Sequence, residues 1–182
     1  YHPRRRARSA LHATPSCVEA PPVIDIGALV SADADAAAAA AAVDAIDKAC
    51  RTWGFFQVVN HGVDAALIDE FEAQMVHFFK LPKELKYAVK RTANNSRGFA
   101  DDELTKQLQD LKELYDVGHC PRLDLAADAP ENVVLDGYNQ WPSAAAVPAF
   151  RAVVEEYYAA CTALSSTLMR AIARGLRERA GA

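Results

Sequence analysis

Long apolar runs are absent from the 182-residue sequence, and so is any excess of positive charge. The longest uninterrupted apolar run, Ala36 to Val43, has eight residues, whereas a helix that spans a bilayer needs about 20. Lysine and arginine number 20 against 24 aspartate and glutamate, which gives a net charge of -4. Because a chain of this charge is not drawn to phosphate backbones or anionic lipid, we expect neither nucleic acid nor a membrane as a partner.

Cysteine is also scarce, and no two cysteines are close in the sequence. The four form no C-x-x-C pair and no disulfide-rich frame: Cys17, Cys50, Cys120 and Cys161. This usage favours a reducing compartment, so we expect a cytoplasmic protein. Residues 1–18 leave an alternative open, because they contain four arginines and no acidic residue. Such a segment is typical either of a transit peptide for a chloroplast or mitochondrion or of a disordered tail.

Motifs that would indicate catalysis are missing as well. The sequence has no G-x-S-x-G, no P-loop and no G-x-G-x-x-G string, which removes the common hydrolase and nucleotide-binding signatures. The histidines form none of the H-x-D, H-x-H or H-E-x-x-H arrangements: His2, His12, His61, His77 and His119. His61 precedes Gly62 and is typical of a turn. The residues by themselves therefore predict no catalytic group and no metal ligand.

Hydrophobic periodicity predicts an α+β fold that begins with a strand, a helix and a strand. The strands are 23–26 (VIDI) and 55–60 (FFQVVN), which are rich in β-branched and aromatic residues. Asp33 and Asp35 open the helix between these strands, and this helix ends near Gly54. Asp64 is expected to cap a further helix, and Pro82 to begin a short one.

The second part of the chain has a weaker pattern until its last element. Residues 92–103 are polar and predict an irregular loop. Within 104–147 we predict that Asn139 locks a loop through backbone hydrogen bonds, with Trp141 as a local anchor. After Pro148, apolar residues recur at helical spacing and predict one long helix over about 148–174.

Six strings, in order, resemble the N-terminal region of one enzyme family. They are PPVIDI (21–26), ACRTWGFFQVVNHGV (49–63), FFKLPKELK (78–86), RGF (97–99), LKELYDVG (111–118) and NQWP (139–142). The family is that of plant-type non-haem iron, 2-oxoglutarate-dependent dioxygenases, which includes isopenicillin N synthase. The resemblance covers about residues 21–176. It divides the chain into a tail (1–20), the dioxygenase N-terminal region (21–176) and a second tail (177–182).

The resemblance implies a helix-rich region with short strands that packs on a double-stranded β-helix, or jelly roll, which is absent or incomplete here. In this family an H-x-D pair and a distal histidine bind Fe(II), and an R-x-S motif receives 2-oxoglutarate. The present sequence has no counterpart of the iron motif. We therefore expect Fe(II) and 2-oxoglutarate as cofactors of a complete protein, and none for this chain alone.

The function that the resemblance implies is oxidation of a small organic molecule by hydroxylation, desaturation or ring closure. This chain would supply scaffold only and be inactive by itself, so whether it is an enzyme is left open. The alternative is a non-catalytic scaffold or binding remnant of the same family. The sequence does not indicate an oligomeric state.

The polar segment 92–103 is where we look for substrate contact, because loops near a barrel mouth carry specificity. Arg97 and Phe99 are the candidate substrate-proximal residues. The alternative for Arg97 is an ion pair with a surface carboxylate near Asp101. No catalytic residue and no metal ligand is predicted in this chain.

Overall fold

The computed structural model describes residues 20–31, 33–105, 107–118, 129 and 137–181. Five helices lie within these ranges: α1 (Gly27–Val30), α2 (Ala36–Thr52), α3 (Ala65–Phe79), α4 (Lys83–Tyr87) and α5 (Phe150–Ala180). Six short strands accompany them: β1 (Val23–Asp25), β2 (Gln57–Val59), β3 (Gly98–Ala100), β4 (Leu104–Thr105), β5 (Leu108–Gln109) and β6 (Leu114–Asp116). This mixture confirms the α+β class. The tail predicted at 1–20 lies, except for Ala20, outside the described residues.

Aspartate side chains set the starts of the two helices that follow β1 and β2. Both carboxylate oxygens of Asp35 accept hydrogen bonds, from the N–H groups of Ala37 and Ala38 at 3.3 Å each. Asp64 Oδ1 accepts from the Ala66 N–H at 2.9 Å. Since the first N–H groups of a helix have no partner within the helix, these bonds confirm the predicted starts of α2 and α3.

The first of two compact units contains the described residues up to 61 together with 168–181. Strands β1 and β2 pair in parallel, with Ile24 opposite Val58, and α2 connects them, as predicted. The buried side chains of this unit are small or aliphatic: Ile24, Ile26, Ala42, Val43, Ile46, Ala49 and Ala171. The one-turn helix α1 is not predicted from the sequence, because Gly27 reads as the end of a strand.

Two of the resemblance strings meet at one hydrogen bond in this unit. Asn60 Nδ2 donates to Asp25 Oδ2 at 2.7 Å, and the other oxygen of Asp25 accepts from the Gly27 N–H at 2.8 Å. Asn60 has φ 56°, a left-handed conformation that asparagine tolerates better than most residues. The carboxylate in PPVIDI and the amide in VVNHG therefore fix a turn at the end of the β1–β2 pair.

The second unit, built from the described residues between 62 and 167, has an aromatic core. Phe78, Phe99 and Phe150 are each 0% exposed. The ring of Phe78 contacts four other aromatic rings, with centroid distances of 4.8 to 6.3 Å: Phe79, Phe99, Tyr115 and Phe150. Trp141, predicted to be a local anchor, packs half-buried against this cluster.

Strand β3 corrects the prediction of an irregular loop at 92–103. It pairs antiparallel with β6, with Phe99 opposite Tyr115. The Phe99 N–H donates to the Val89 carbonyl at 2.8 Å, and its carbonyl accepts from the Arg91 N–H at 2.9 Å. Burial of one phenylalanine, the pairing with β6 and these backbone bonds outweigh the polar local sequence, whose composition does not encode them.

Helix α5 is longer than predicted. It has 31 residues, which is about 46 Å at 1.5 Å per residue. The helix therefore continues through 177–180, which the sequence assigns to a tail. Apolar periodicity ends near Ile172. Beyond it, ion pairs accompany the last turns: Arg174 Nε lies 2.7 Å from Glu178 Oε1, and Arg179 Nε lies 3.7 Å from Asp47 Oδ1.

Candidate functional site

Arg97 lies at one end of the β3–β6 pair, directly before β3. Its guanidinium rests against Gly118, which follows β6. A Cβ atom on Gly118 would fall only 2.2 Å from Arg97 Cζ, far inside contact distance. The absence of a side chain at this position is therefore what makes room for the arginine.

The backbone of Arg97 is held from two sides by amide side chains. Its N–H donates to Asn95 Oδ1 at 3.0 Å, and its carbonyl accepts from Gln140 Nε2 at 2.7 Å. The same Gln140 nitrogen also donates to the Lys90 carbonyl at 3.1 Å. Gln140 thus joins the segment before β3 to the segment after α4, a role that no sequence pattern suggests.

Asn139 forms a reciprocal pair with the backbone of Gly118. The Gly118 N–H donates to Asn139 Oδ1, and Asn139 Nδ2 donates to the Gly118 carbonyl, each at 2.9 Å. This confirms the predicted loop lock at Asn139. We refer to the five residues Asn95, Arg97, Gly118, Asn139 and Gln140 as the Arg97 site. It brings together the RGF, LYDVG and NQWP strings, which are far apart in sequence.

Phe99, the other candidate substrate-proximal residue, is placed differently. Its side chain lies in the aromatic core and has no exposed surface, so in this structure it supports β3 from behind. Its strand partner Tyr115 donates its hydroxyl hydrogen to the Gln140 carbonyl. Burial raises the pKa of Tyr115 above its ordinary value, so the phenol is neutral at physiological pH and serves as a donor that ties the core to the Arg97 site.

A cluster of charges braces the opposite end of the β3–β6 pair. Asp101, the residue near which an alternative partner for Arg97 is predicted, accepts from the Tyr87 hydroxyl at 2.6 Å and from Lys90 at 2.9 Å. Lys83 lies 3.3 Å from the same carboxylate. The hydrogen bond from Tyr87, followed by that from Lys90, holds the pKa of Asp101 well below its ordinary value.

A second ion pair, which no sequence pattern indicates, joins α4 to the segment before β6. Lys86 Nζ lies 2.6 Å from both carboxylate oxygens of Glu113 and donates to the Phe79 carbonyl at 3.2 Å. The Lys86 side chain is only 8% exposed. Glu113 is therefore more than a solvated charge beside a strand, because it neutralises a buried lysine.

Each unit has an open cleft beside its described elements. The cleft in the first unit measures about 860 Å³ and lies between β1 and the alanine face of α2. The cleft in the second unit measures about 280 Å³ and is lined by α3, β6 and α5. Both are mainly apolar, and neither contains a side chain of the Arg97 site.

The described residues do not fit an iron site. No three histidine, cysteine, aspartate or glutamate side chains come together among them as a potential donor set, whereas a facial triad needs three protein ligands. His61 lies two residues after the end of β2. Within the same residues, no helix has the length and apolar content required to span a membrane.

Comparison with known proteins defines the class to which this fold belongs. Residues 21–144 match the family described as non-haem dioxygenase in morphine synthesis N-terminal. The chain therefore belongs to this family of dioxygenase N-terminal regions. The resemblance carried by the six strings is confirmed.

Individual relatives agree with this membership. A homoarginine-6-hydroxylase of Arabidopsis thaliana is 36% identical, over 85% of this chain and 48% of its own length. The 2-oxoglutarate-dependent dioxygenase tropC of Talaromyces stipitatus is 31% identical over 88% and 50%. A full-length Neurospora crassa protein, crystallised in complex with alpha-KG and 5-formyluracil, superimposes with a TM-score of 0.67 at 27% identity, over 85% of this chain and 44% of its own. The chain thus spans about half the length of the relatives it matches.

Proposed function

We propose that this chain is the N-terminal part of a 2-oxoglutarate- and Fe(II)-dependent oxygenase that acts on a small organic molecule by hydroxylation, desaturation or ring closure. The observation that carries the proposal is the family match over residues 21–144. It is supported by relatives whose names include a homoarginine hydroxylase and a 2-oxoglutarate-dependent dioxygenase. The substrates named for these relatives are small molecules, and we extend only that size class to this chain.

We further propose that the chain contributes scaffold and is inactive by itself. Fe(II) and 2-oxoglutarate would be held by a part of the complete protein other than these residues. This assignment of the cofactors to another part of the protein is supported by the lack of a three-ligand donor set in the described part of the chain. It is also supported by the alignment with only about half the length of each relative. No step of the reaction is assigned to a residue of this chain.

Arg97 is the residue that we propose to face the substrate. It is partly exposed, lies at the end of a strand pair rather than in a core, and its backbone and surroundings are fixed by amide hydrogen bonds. A guanidinium offers donors in a planar fork, which suits a carbonyl, carboxylate or other acceptor on a small molecule. Phe99 would act only by supporting β3, because its side chain is buried.

The test is to compare the 182-residue chain with a protein that carries the coding sequence downstream of Ala182. Decarboxylation of 2-oxoglutarate is measured with added Fe(II) and a panel of small molecules. We expect turnover with the longer protein and none with the 182-residue chain. Stoichiometric Fe(II) binding and matching decarboxylation by the 182-residue chain would refute the division. A stop codon directly after Ala182 would favour the alternative of a non-catalytic remnant.

The role of Arg97 is tested in the same longer protein. Arg97→Ala should raise the KM for the organic substrate and leave the KM for 2-oxoglutarate unchanged. Arg151→Ala is the matched control, because Arg151 is also on the surface of the second unit but lies over Trp141. Equal kinetic constants for the two variants would show that Arg97 does not face the substrate.

A further inference from the structure

Asn139 and Gln140 are adjacent in the sequence and bind two different backbone segments next to the Arg97 side chain. Gln140 binds the carbonyl of Arg97 at 2.7 Å, which fixes the backbone from which the arginine extends. Asn139 binds both backbone groups of Gly118 at 2.9 Å, which fixes the surface against which the guanidinium rests. We infer that Asn139 and Gln140 are positioning residues that determine where the Arg97 guanidinium lies. Contact between Arg97 and a substrate rests on the proposed function, whereas the positioning of Arg97 is independent of it.

Two glycines allow the backbone to approach closely on both sides of Arg97. Gly98 has φ +104°, and a Cβ there would fall 2.1 Å from the Val89 carbonyl oxygen and 2.9 Å from Gln140 Nε2. Gly118 has no room for a Cβ because the guanidinium occupies that space. At the ends of β3 and β6 the hydrogen bonds between the strands end. The backbone groups there form hydrogen bonds with side-chain amides instead, since an amide offers both a donor and an acceptor.

A third amide connects the same segment to Arg97. Asn95 Oδ1 accepts from the Arg97 N–H at 3.0 Å, and Asn95 Nδ2 donates to the Tyr138 carbonyl at 2.9 Å. A Cβ on Gly137 would fall 2.2 Å from Asn95 Oδ1. All three amides thus involve segment 137–140, so a change in this segment is transmitted to the backbone of Arg97, to the surface beneath its side chain, or to both.

The experiment follows the Nε–H of Arg97 by nuclear magnetic resonance in the 182-residue chain, with the signal assigned by its loss in Arg97→Lys. Its hydrogen-exchange rate should rise at least about tenfold in Asn139→Ala and in Gln140→Ala, equivalent to about 1.4 kcal/mol, because the guanidinium loses its fixed place. Val154→Ala is the control: Val154 belongs to the core of the same unit and lies outside the Arg97 site. It should lower the melting temperature and leave the Arg97 exchange rate unchanged.

An unchanged exchange rate in both amide variants, or an equal rise in Val154→Ala, would overturn the inference. If an alanine variant does not fold, Asn139→Asp and Gln140→Glu are measured instead, since each keeps the acceptor oxygen and loses the donor. An unchanged exchange rate in both, or an equal rise in Val154→Ala, would again overturn the inference. No substrate enters this measurement. A failed kinetic test of Arg97 would therefore leave the positioning intact, and a failed exchange test would leave the proposed oxygenase function intact.

Discussion

The two compact units contain similar elements but are stabilised by different means. The first unit has a parallel strand pair and a core of alanine, valine and isoleucine, and its family strings meet in one turn, at Asp25 and Asn60. The second unit has an aromatic core, a partly buried ion pair and the amide bonds of the Arg97 site. Among the described residues of the second unit, the RGF, LKELYDVG and NQWP strings meet around Arg97, a partly exposed cationic side chain.

The largest expected effect concerns the aromatic core. Phe78→Ala should lower the free energy of unfolding by about 3–5 kcal/mol, since large-to-small changes at buried positions leave a cavity, and this one also removes contacts with four rings. Ile46→Val is the counterpart in the first unit, where Ile46 is 0% exposed; it should cost about 0.5–1.5 kcal/mol. Denaturant unfolding measures both values.

Amide hydrogen exchange in the same variants sharpens the comparison. Phe78→Ala should reduce protection mainly among amides of the second unit, because compact units open as separate cooperative segments. Ile46→Val should act mainly on the first. Equal loss of protection throughout the chain in either variant would mean that the two units unfold together. The different cores would then not give the two units separate stabilities.

A smaller effect is expected from two glycines that share a positive φ. Gly98 in the second unit and Gly54 in the first have φ +104° and +79°. A Cβ on Gly98 meets the Val89 carbonyl oxygen at 2.1 Å, whereas one on Gly54 has nothing within 4 Å. Gly54→Ala should cost only the backbone strain of about 1–2 kcal/mol, and Gly98→Ala should cost more because the backbone must move. Similar melting temperatures for the two variants would contradict this.

Local signals explain which parts of this fold can be predicted from the sequence. The helix caps at Asp35 and Asp64 and the apolar spacing of α5 depend on residues that are close in the sequence. The sequence pattern therefore predicts them. Strand β3 escapes prediction because its partner β6 is distant in the sequence and its burial depends on Phe78 and Phe150. Family strings carry the identification, and some of their residues maintain structure, such as Asp25 and Asn60 in a turn and Phe78 in the aromatic core.

The same limit applies to the candidate site. Asn139 is predictable as a loop lock, since asparagine side chains in loops commonly form hydrogen bonds with the backbone. Gln140 and Gly118 escape prediction, because a glutamine that bridges two distant carbonyls and a glycine that makes room for an arginine have no local pattern. Arg97 is selected for its polar segment, which is also why Phe99, a core residue, is selected with it.

The partly buried Lys86–Glu113 pair of the second unit gives the next prediction. Glu113→Gln leaves the charge of Lys86 without its carboxylate in a site where the lysine is 8% exposed. Leaving a buried donor or acceptor without its partner costs about 1–3 kcal/mol, and more when the group is charged. Because Glu113 is 39% exposed, water can replace part of the lost carboxylate, and we expect a loss of about 1–3 kcal/mol. Glu178→Gln makes the same change in the exposed Arg174–Glu178 pair of α5, where a loss of about 0.3–0.5 kcal/mol is typical. If Glu113→Gln lowers the free energy of unfolding by no more than Glu178→Gln does, the ion pairs of the two units do not differ in their contribution to stability.

The smallest effect is a dependence of stability on pH at Asp101. The hydrogen bonds from Tyr87 and Lys90 lower the pKa of this carboxyl in the folded state. A lowered folded-state pKa stabilises the protein above the ordinary pKa of about 4, and that contribution is lost as the pH falls toward the folded-state value. Between about pH 5 and about pH 2.5, the melting temperature of the wild type should therefore fall more steeply than that of Asp101→Asn, which has no carboxyl to protonate. Parallel melting curves over this interval would show that solvent screens the charge cluster and that it adds nothing to the stability of the second unit.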